Sequence, residues 1–387
     1  MTGVQTCALP IWQDRSLMRI QTNLKRIFNF TINHRKDFLT SQLWDTVVRV
    51  LRERFFYFDR VSKSEFLYNL KQIESRPWNL HIELTNICNA NCIFCAYRYQ
   101  SRKKTIMEKR IYSKALDDYC SMGGGELRLE TCLGDPLIDP DFVERIQQAR
   151  SYPEITRIAT LTNGINLDQI VIERLLRSGI DEIGISTGPW NEHLYKLIYY
   201  SKDYVRMRNN VVELLQKNLE TGNGVEIKIL FRSNLSMKKT LELPDYKMIK
   251  HLPHKVEFNT DFDAWLGNIK QKDLLGEMHL RPLSRLEREP CYWLYDGPII
   301  FADGKVGLCG CRDFNADSEL IIGNISEDSL WNLWRSEKTS GLRKRFSNAD
   351  FPDICRKCSV YANLDFYRSK RGSSRANLVN RWLRAKM

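Results

Sequence analysis

The residues with the clearest chemical potential are three cysteines within one short segment. Cys88, Cys92 and Cys95 are separated by three and two residues, and the segment directly follows an apolar run. Three thiolates on a tight loop can ligate three irons of a 4Fe–4S cube and leave the fourth iron without a protein ligand. A substrate or cofactor can bind that open iron, so the spacing predicts a catalytic site. The alternative is a structural zinc loop, but zinc prefers four ligands and this loop supplies three cysteines.

Alternating strand and helix patterns must position this loop. The predicted strands, all after Pro77, are residues 80–84, 127–132, 155–161, 180–186, 225–231 and 256–259. The predicted helices between them are residues 114–122, 141–149, 169–177, 204–219 and 244–251. This alternation predicts a parallel sheet with right-handed crossovers, either an open barrel or a doubly wound sheet. In a barrel, the loops at the carboxyl ends of the strands carry the chemistry, and the cysteine loop follows the first strand.

The flanking regions differ from this α/β core in pattern. Residues 1–11 resemble a translated sequencing adapter and are set aside, and residues 12–76 have helical periodicity. The core is predicted over residues 77–280, followed by a smaller α+β domain over 281–366 with strands at 298–302 and 304–308 and a helix at 330–345. Residues 367–387 form a basic tail. A solvated tail is a commoner reading of such a charge run than a nucleic-acid-binding segment.

Composition narrows the class of protein. The 387 residues carry a formal net charge of +12 and 43% apolar residues, which is ordinary for a globular protein. No apolar run approaches the length of a transmembrane helix. The chain has eleven cysteines, and those that form clusters are spaced as in metal-binding loops; no secretory signal peptide is found. We therefore expect a reducing, cytoplasmic compartment, in which the thiols stay available for metal.

The cysteine loop and its surroundings resemble the radical S-adenosylmethionine family. That resemblance implies a partial (β/α)6 TIM-like barrel, a 4Fe–4S cluster, and S-adenosylmethionine bound at the open iron. The residues that match the family's cofactor-binding positions are Phe94, Gly134, Asp135, Asn163, Ser186 and Arg232. Leu133-Gly134-Asp135 departs from the family's Gly-Gly-Glu sequence. Gly124-Gly125-Glu126 spells that motif, but it precedes the second predicted strand, and we interpret it as a helix-to-strand turn.

The remaining cysteines resemble the SPASM or twitch extension that follows the radical domain in one large subgroup. The resemblance implies that Cys291, Cys309, Cys355 and Cys358 ligate one auxiliary 4Fe–4S cluster, since no cysteine follows Cys358. Four cysteines taken alone fit zinc equally well. Cys311 is an alternative to Cys309 as a ligand of this cluster, although the spacing favours Cys309.

The resemblance implies an oxidoreductase-like enzyme that cleaves S-adenosylmethionine to a 5′-deoxyadenosyl radical, which then abstracts a hydrogen atom from a substrate C–H bond. Oxidation or epimerisation of a small polar, sugar-like substrate is one hypothesis, and modification of a peptide is another. A zinc or nucleic-acid-binding protein without catalytic activity is the alternative from a different class. Candidate catalytic residues are Cys132, as a hydrogen-atom donor, and Asp263, near Asp261 and Trp265. For Cys132, packing in the core is the commoner role of such a residue. A flavodoxin or ferredoxin is the expected electron donor, and the basic surface could steer such an acidic protein.

Overall fold

The computed structural model describes residues 71, 74–130, 132–222, 224–309 and 312–362. Residues 1–11, nearly all of the predicted helical segment 12–76, the basic tail and Cys311 therefore lie outside the described residues. Among the described residues, no helix is both long enough and apolar enough to cross a membrane.

Six parallel strands form the core of the sheet and confirm the predicted βα alternation. They are β1 (Asn79–Ile82), β2 (Gly125–Leu129), β3 (Ile155–Thr162), β4 (Glu182–Thr187), β5 (Glu226–Arg232) and β6 (Lys255–Asn259). These strands pair in sequence order, each parallel to the next. Leu80, Ile82, Leu127 and Leu129 are fully buried, as expected of a sheet covered by crossover helices. The fold is an α/β partial barrel.

Amphipathic helices cover this sheet. They are α1 (Lys109–Ser121), α2 (Phe142–Arg150), α3 (Gln169–Leu176), α4 (Glu192–Tyr199), α5 (Tyr204–Glu220), α6 (Met237–Leu241) and α7 (Pro244–Lys247). The sequence patterns did not predict α4, which is short and follows a Gly-Pro pair. Its amino-terminal end is capped by Asn191, whose Oδ1 accepts a hydrogen bond from the Leu194 N–H at 3.1 Å.

The second strand begins and ends earlier than predicted. Its bounds are Gly125–Leu129, and the predicted residues Glu130 and Cys132 belong to the loop that follows. Gly124 confirms the interpretation as a turn, because its φ is +59° and a Cβ there would lie 2.5 Å from the Glu154 carbonyl oxygen. Only glycine fits this turn between α1 and β2 without strain.

The carboxyl-terminal strands extend the same sheet. After the short parallel pair β7 (Asp261–Phe262) and β8 (His279–Leu280) come α8 (Trp293–Asp296), β9 (Ile299–Ile300), β10 (Lys305–Gly307) and β11 (Ile321–Asn324). Strand β9 pairs in parallel with β1 through His81 and Ile299, and β10 and β11 continue the sheet antiparallel, so nine strands form one sheet. The predicted α+β region is thus joined to the core by strand pairing, which local periodicity does not reveal.

The predicted helix over residues 330–345 is wrong as a single element. The chain forms α9 (Leu330–Arg335) and α10 (Glu337–Ser347), which are separated at Ser336. The extended Ser336 caps α10, since its Oγ accepts a hydrogen bond from the Thr339 N–H at 3.2 Å. A final short helix, α11 (Asp353–Arg356), carries Cys355.

Candidate active site

The cysteine loop lies at the carboxyl end of β1 and borders a cavity of about 290 Å³. The loop is held by the end of α4, because the N–H groups of Asn91 and Ile93 donate to the carbonyl oxygens of Tyr199 and Ile198 at 3.1 and 2.9 Å. These carbonyls are among those that a helix end leaves without intrahelical partners. The backbone of the loop is therefore fixed while its three thiols border the cavity.

The cavity collects the residues that the sequence predicted for the first site. Its lining includes Cys88, Cys92, Phe94, Cys95, Cys132, Gly134, Asp135, Asn163, Ser186, Arg232 and Asp263. They come from the loops that follow four strands, β1, β2, β3 and the short strand at residues 261–262, and from the carboxyl ends of β4 and β5. This placement is the one expected for a site at the carboxyl edge of parallel strands.

The electrostatics of the three thiols fit an iron–sulfur cluster. Burial, followed by the carboxylate of Asp135, raises the pKa of the Cys88 thiol to about 12. Burial also raises the pKa of Cys92 well above its usual range, and the neighbouring Cys95 and Cys88 raise it further. Three adjacent thiolates are unfavourable without a bound cation, and iron binds cysteine in the thiolate form. The donor set therefore suits a cluster with three protein ligands.

The thiols do not converge as ligands of one ion would. Among the described residues, no three His, Cys, Asp or Glu side chains are grouped closely enough to hold a single metal ion. A 4Fe–4S cube does not require such convergence, because each cysteine binds a different iron.

The loop after β2 packs directly on the cysteine loop. Gly134 has φ +110°, and a Cβ there would lie 2.6 Å from the Thr85 carbonyl oxygen. The next N–H, of Asp135, donates to the Ile87 carbonyl oxygen at 2.8 Å. Glycine is required here because the two backbones approach closely at a positive φ.

The carboxylate of Asp135 is occupied by neighbouring donors. It accepts hydrogen bonds from the Thr162 hydroxyl at 2.9 Å and from the Asn163 N–H at 2.7 Å. Burial raises its pKa, and the Asn163 N–H opposes that rise. Asp135 therefore ties the loop after β2 to the loop after β3, and any contact of this segment with a cofactor is left to its backbone.

Asn163 links the third strand to the cysteine loop. Its Nδ2 donates to the Asn89 Oδ1 at 2.6 Å and makes a long hydrogen bond of 3.8 Å to the Cys88 Sγ.

Ser186 is next to Tyr199, with 3.3 Å between the two hydroxyl oxygens. Phe94 contacts Tyr199 and Phe262, with ring centroids 5.5 and 5.1 Å apart. One wall of the cavity is thus aromatic, which suits an adenine ring.

Arg232 is a cation at the end of β5. Within the described residues no carboxylate lies at ion-pair distance from it. Burial lowers its pKa, although the guanidinium remains charged at neutral pH. A largely buried arginine in this position can bind a carboxylate.

Asp263, a candidate catalytic residue, has both of its carboxylate oxygens bound by neighbouring groups. Its Oδ1 lies 3.0 Å from the Arg312 Nε and accepts a hydrogen bond from the Trp265 N–H, while its Oδ2 accepts from the Ser359 hydroxyl. The Trp265 Nε1–H in turn donates to the Phe94 carbonyl oxygen at 2.9 Å, and the Arg312 guanidinium lies 4.7 Å from the Trp265 ring. Because both oxygens are engaged, the structure favours a positioning role for Asp263.

The second cysteine set is gathered away from this cavity. Burial raises the pKa of Cys355, followed by the nearby Cys309, Cys291 and Cys358. Burial raises the pKa of Cys291 to about 12, again with contributions from Cys309 and Cys358. Because these pKa shifts include contributions from the other thiols of the set, the four predicted ligands lie near one another. None of the four borders the cavity of the first site.

Several residues of the site were missed by sequence reasoning. Tyr199, Arg281 and Arg312 border the cavity, although none belongs to a recognised motif. The only sequence feature that could have indicated Arg312 is its position directly after the cysteine-rich segment 309–311. Tyr199 and Arg281 reach the cavity through α4 and β8, and neither element was predicted.

Two family models match the chain. The first, described as the radical SAM superfamily, covers residues 82–243 and includes the first cysteine set. The second, SPASM, described as an iron–sulfur cluster-binding domain, covers residues 291–359 and includes the second set. The chain thus contains a radical SAM domain followed by a SPASM domain. Its cofactors are accordingly a 4Fe–4S cluster, S-adenosylmethionine and auxiliary iron–sulfur clusters.

The relatives of this radical SAM protein differ in their named activities. An uncharacterised protein of Methanocaldococcus jannaschii is 30% identical over 39% of this chain and 48% of its own length. A probable GTP 3′,8-cyclase of the same organism is 28% identical over 54% of this chain and 65% of its own. The chain thus spans about half to two thirds of these two relatives. Such names support an enzyme but not one substrate.

A solved structure supports the fold. Streptococcus suis SuiB bound to the precursor peptide SuiA matches with a TM-score of 0.53 and 14% identity, covering 79% of this chain and 77% of that protein. At that identity the likeness shows the shared architecture alone. The predicted fold class is confirmed.

Proposed function

We propose that this chain is an oxidoreductase-like enzyme that cleaves S-adenosylmethionine reductively and removes a hydrogen atom from a C–H bond of a small polar substrate. The observation that carries the proposal is the single cavity lined by Cys88, Cys92 and Cys95 together with residues from five strand ends. The cofactors supply the electron and the 5′-deoxyadenosyl radical. The protein's own residues bind, orient and exclude water.

The residues around the cavity divide this work. The three cysteines hold the cluster, while Asp135 and Asn163 fix the loop that presents them. Arg232 is placed to bind the carboxylate of S-adenosylmethionine. The rings of Phe94 and Tyr199 exclude water from the adenosyl side of the cavity.

The cavity volume favours a small substrate. About 290 Å³ is at the lower end of the roughly 300–1,000 Å³ found for ligand pockets. Much of this space is needed for the cofactors, so little remains for the substrate. A single peptide side chain entering from the mouth is the competing hypothesis.

Anaerobic reconstitution tests the proposal. The reduced protein should convert S-adenosylmethionine to 5′-deoxyadenosine, and a Cys88→Ala, Cys92→Ala, Cys95→Ala variant should lose that activity because the cluster has no ligands. Cys120→Ala is the matched control, since Cys120 lies on α1 outside both cysteine sets. Cleavage that persists in the triple variant would overturn the site assignment. A protein that binds only zinc would support the alternative without catalytic activity.

The electron donor and the compartment belong to the same proposal. We propose a flavodoxin- or ferredoxin-type donor in the cytoplasm, drawn to the chain by its net charge of +12. The rate of reduction by such a donor should fall as salt concentration rises, because exposed charges are screened. A rate independent of salt would contradict electrostatic steering.

A further inference from the structure

The charges around the cavity are unevenly paired. Its lining includes three arginines, Arg232, Arg281 and Arg312, and three aspartates, Asp135, Asp261 and Asp263. Arg312 and Asp263 neutralise each other at 3.0 Å, and the carboxylate of Asp135 is taken by Thr162 and Asn163.

The other two guanidinium groups of the lining belong to Arg232 and Arg281. Within the described residues, neither Arg232 nor Arg281 forms an ion pair with a carboxylate, Asp261 included. Burial lowers the pKa of Arg232 most, Tyr199 and the Glu257 carboxylate raise it, and the charge of Arg281 lowers it again, so the two cations interact unfavourably. An anion bound beside either of them would relieve that repulsion.

The two arginines differ in depth. Arg232 is largely buried and interacts electrostatically with Tyr199 and with Cys92 of the cysteine loop. Arg281 is exposed and directly follows β8, and its N–H donates to the Phe262 carbonyl oxygen at 2.7 Å. The deep arginine is therefore placed for the cofactor, whereas the outer one lies at the mouth of the same cavity.

We propose that Arg281 binds an anionic group of the substrate, a carboxylate or a phosphate, at the mouth of the cavity. This inference rests on the proposed function, since it gives the carboxylate of S-adenosylmethionine to Arg232. It defines the substrate as a small acid or phosphate ester whose reacting carbon enters while its anionic group remains at the rim. The planar guanidinium suits both anions because it can donate two parallel hydrogen bonds.

Arginine-selective modification of the holoenzyme tests the inference without turnover. The reconstituted protein with S-adenosylmethionine bound is treated with phenylglyoxal in pyrophosphate, in malonate, or in chloride of equal ionic strength. Modification of each arginine is then followed by peptide mass spectrometry. Arg285 is the internal control, since it is exposed, four residues away and outside the cavity lining.

Pyrophosphate or malonate should slow the modification of Arg281 and leave Arg285 unchanged. The expected slowing is about threefold when the anion is present at twice its dissociation constant. Protection by pyrophosphate alone identifies a phosphate ester, and protection by malonate alone identifies a carboxylic acid. Equal rates in all three solutions, or equal slowing of Arg281 and Arg285, would overturn the inference. Because the readout requires no S-adenosylmethionine cleavage, its failure is distinct from failure of the proposed function.

Discussion

The two cysteine sets of this protein are built in opposite ways. Cys88, Cys92 and Cys95 come from one loop after β1, and all three border the cavity. Cys291, Cys309, Cys355 and Cys358 are drawn from 68 residues of chain, counted inclusively, and none of them borders it. Three thiols leave an open position for chemistry, whereas four close the coordination of a cluster. In the proposed assignment, the number of ligands and their access to the cavity separate a reactive site from a closed one.

A chain of contacts nevertheless connects the two sets. Ser359, next to Cys358, donates to Asp263, and Asp263 pairs with Arg312 and accepts from the Trp265 N–H. Trp265 reaches the Phe94 carbonyl oxygen, one residue before Cys95. Trp265 has φ +46°, a conformation that non-glycine residues adopt only where their surroundings enforce it. We call this set of four residues, Ser359, Asp263, Arg312 and Trp265, the bridge.

The largest expected effect comes from removing one cysteine of the second set, because the second site should lose its iron while the first keeps its activity. Cys355→Ala should lose the auxiliary iron but keep S-adenosylmethionine cleavage within about tenfold, roughly 1.4 kcal/mol of activation free energy. The reason is that Cys355 does not border the cavity. Iron content and 5′-deoxyadenosine formation are measured together, with Cys92→Ala as the reciprocal variant. Loss of cleavage in both variants would show that the two sets do not act as separate sites.

Disruption of the bridge should destabilise both regions together. Asp263→Asn leaves the Arg312 guanidinium, whose side chain is 15% exposed, without its carboxylate, which typically costs about 3–5 kcal/mol. Thermal unfolding of the reconstituted protein measures the effect. The control is Asp303→Asn, which breaks the exposed pair with Lys305 at 3.8 Å and should cost about 0–1 kcal/mol. Equal stability of the two variants would rule out a structural role for the bridge.

A smaller effect should be confined to the first site. Gly134→Ala places a Cβ 2.6 Å from the Thr85 carbonyl oxygen at a positive φ, whose strain alone is about 1–3 kcal/mol. Gly222→Ala is the matched control, since φ there is +92° and no atom lies within 4 Å of the added Cβ. S-adenosylmethionine binding, measured by calorimetry, should weaken only in Gly134→Ala. Equal binding by both variants would contradict the close packing of this loop on the cysteine loop.

Local patterns predicted the parts of the fold that depend on local sequence. The six parallel strands are rich in apolar residues and alternate with helical patterns, and the Gly124 turn follows from glycine's access to positive φ. The pairing of β9 with β1 joins residues more than 200 positions apart, so no periodicity could indicate it. Ser336 ends one helix and caps the next, and the sequence around it does not differ from that of a helix interior.

The candidate site shows the same limit. The cysteines were predictable because their spacing is itself the signal. Arg281 and Arg312 border the cavity only because β8 and the loop that begins at Arg312 lie beside it in the folded chain. The sequence indicated Asp263 as a candidate catalytic residue, yet its partners Arg312 and Ser359 lie about 50 and 96 residues away along the chain.

Electron–nuclear double resonance of the reduced protein, with S-adenosylmethionine isotopically labelled at its amino nitrogen, tests the central claim most directly. The claim is that Cys88, Cys92 and Cys95 hold a cluster whose open iron binds S-adenosylmethionine. We predict a hyperfine coupling between the labelled nitrogen and the cluster in the wild-type protein and in Cys355→Ala, and none in Cys92→Ala. A wild-type protein that contains the reduced cluster of the first site but shows no such coupling would contradict the account.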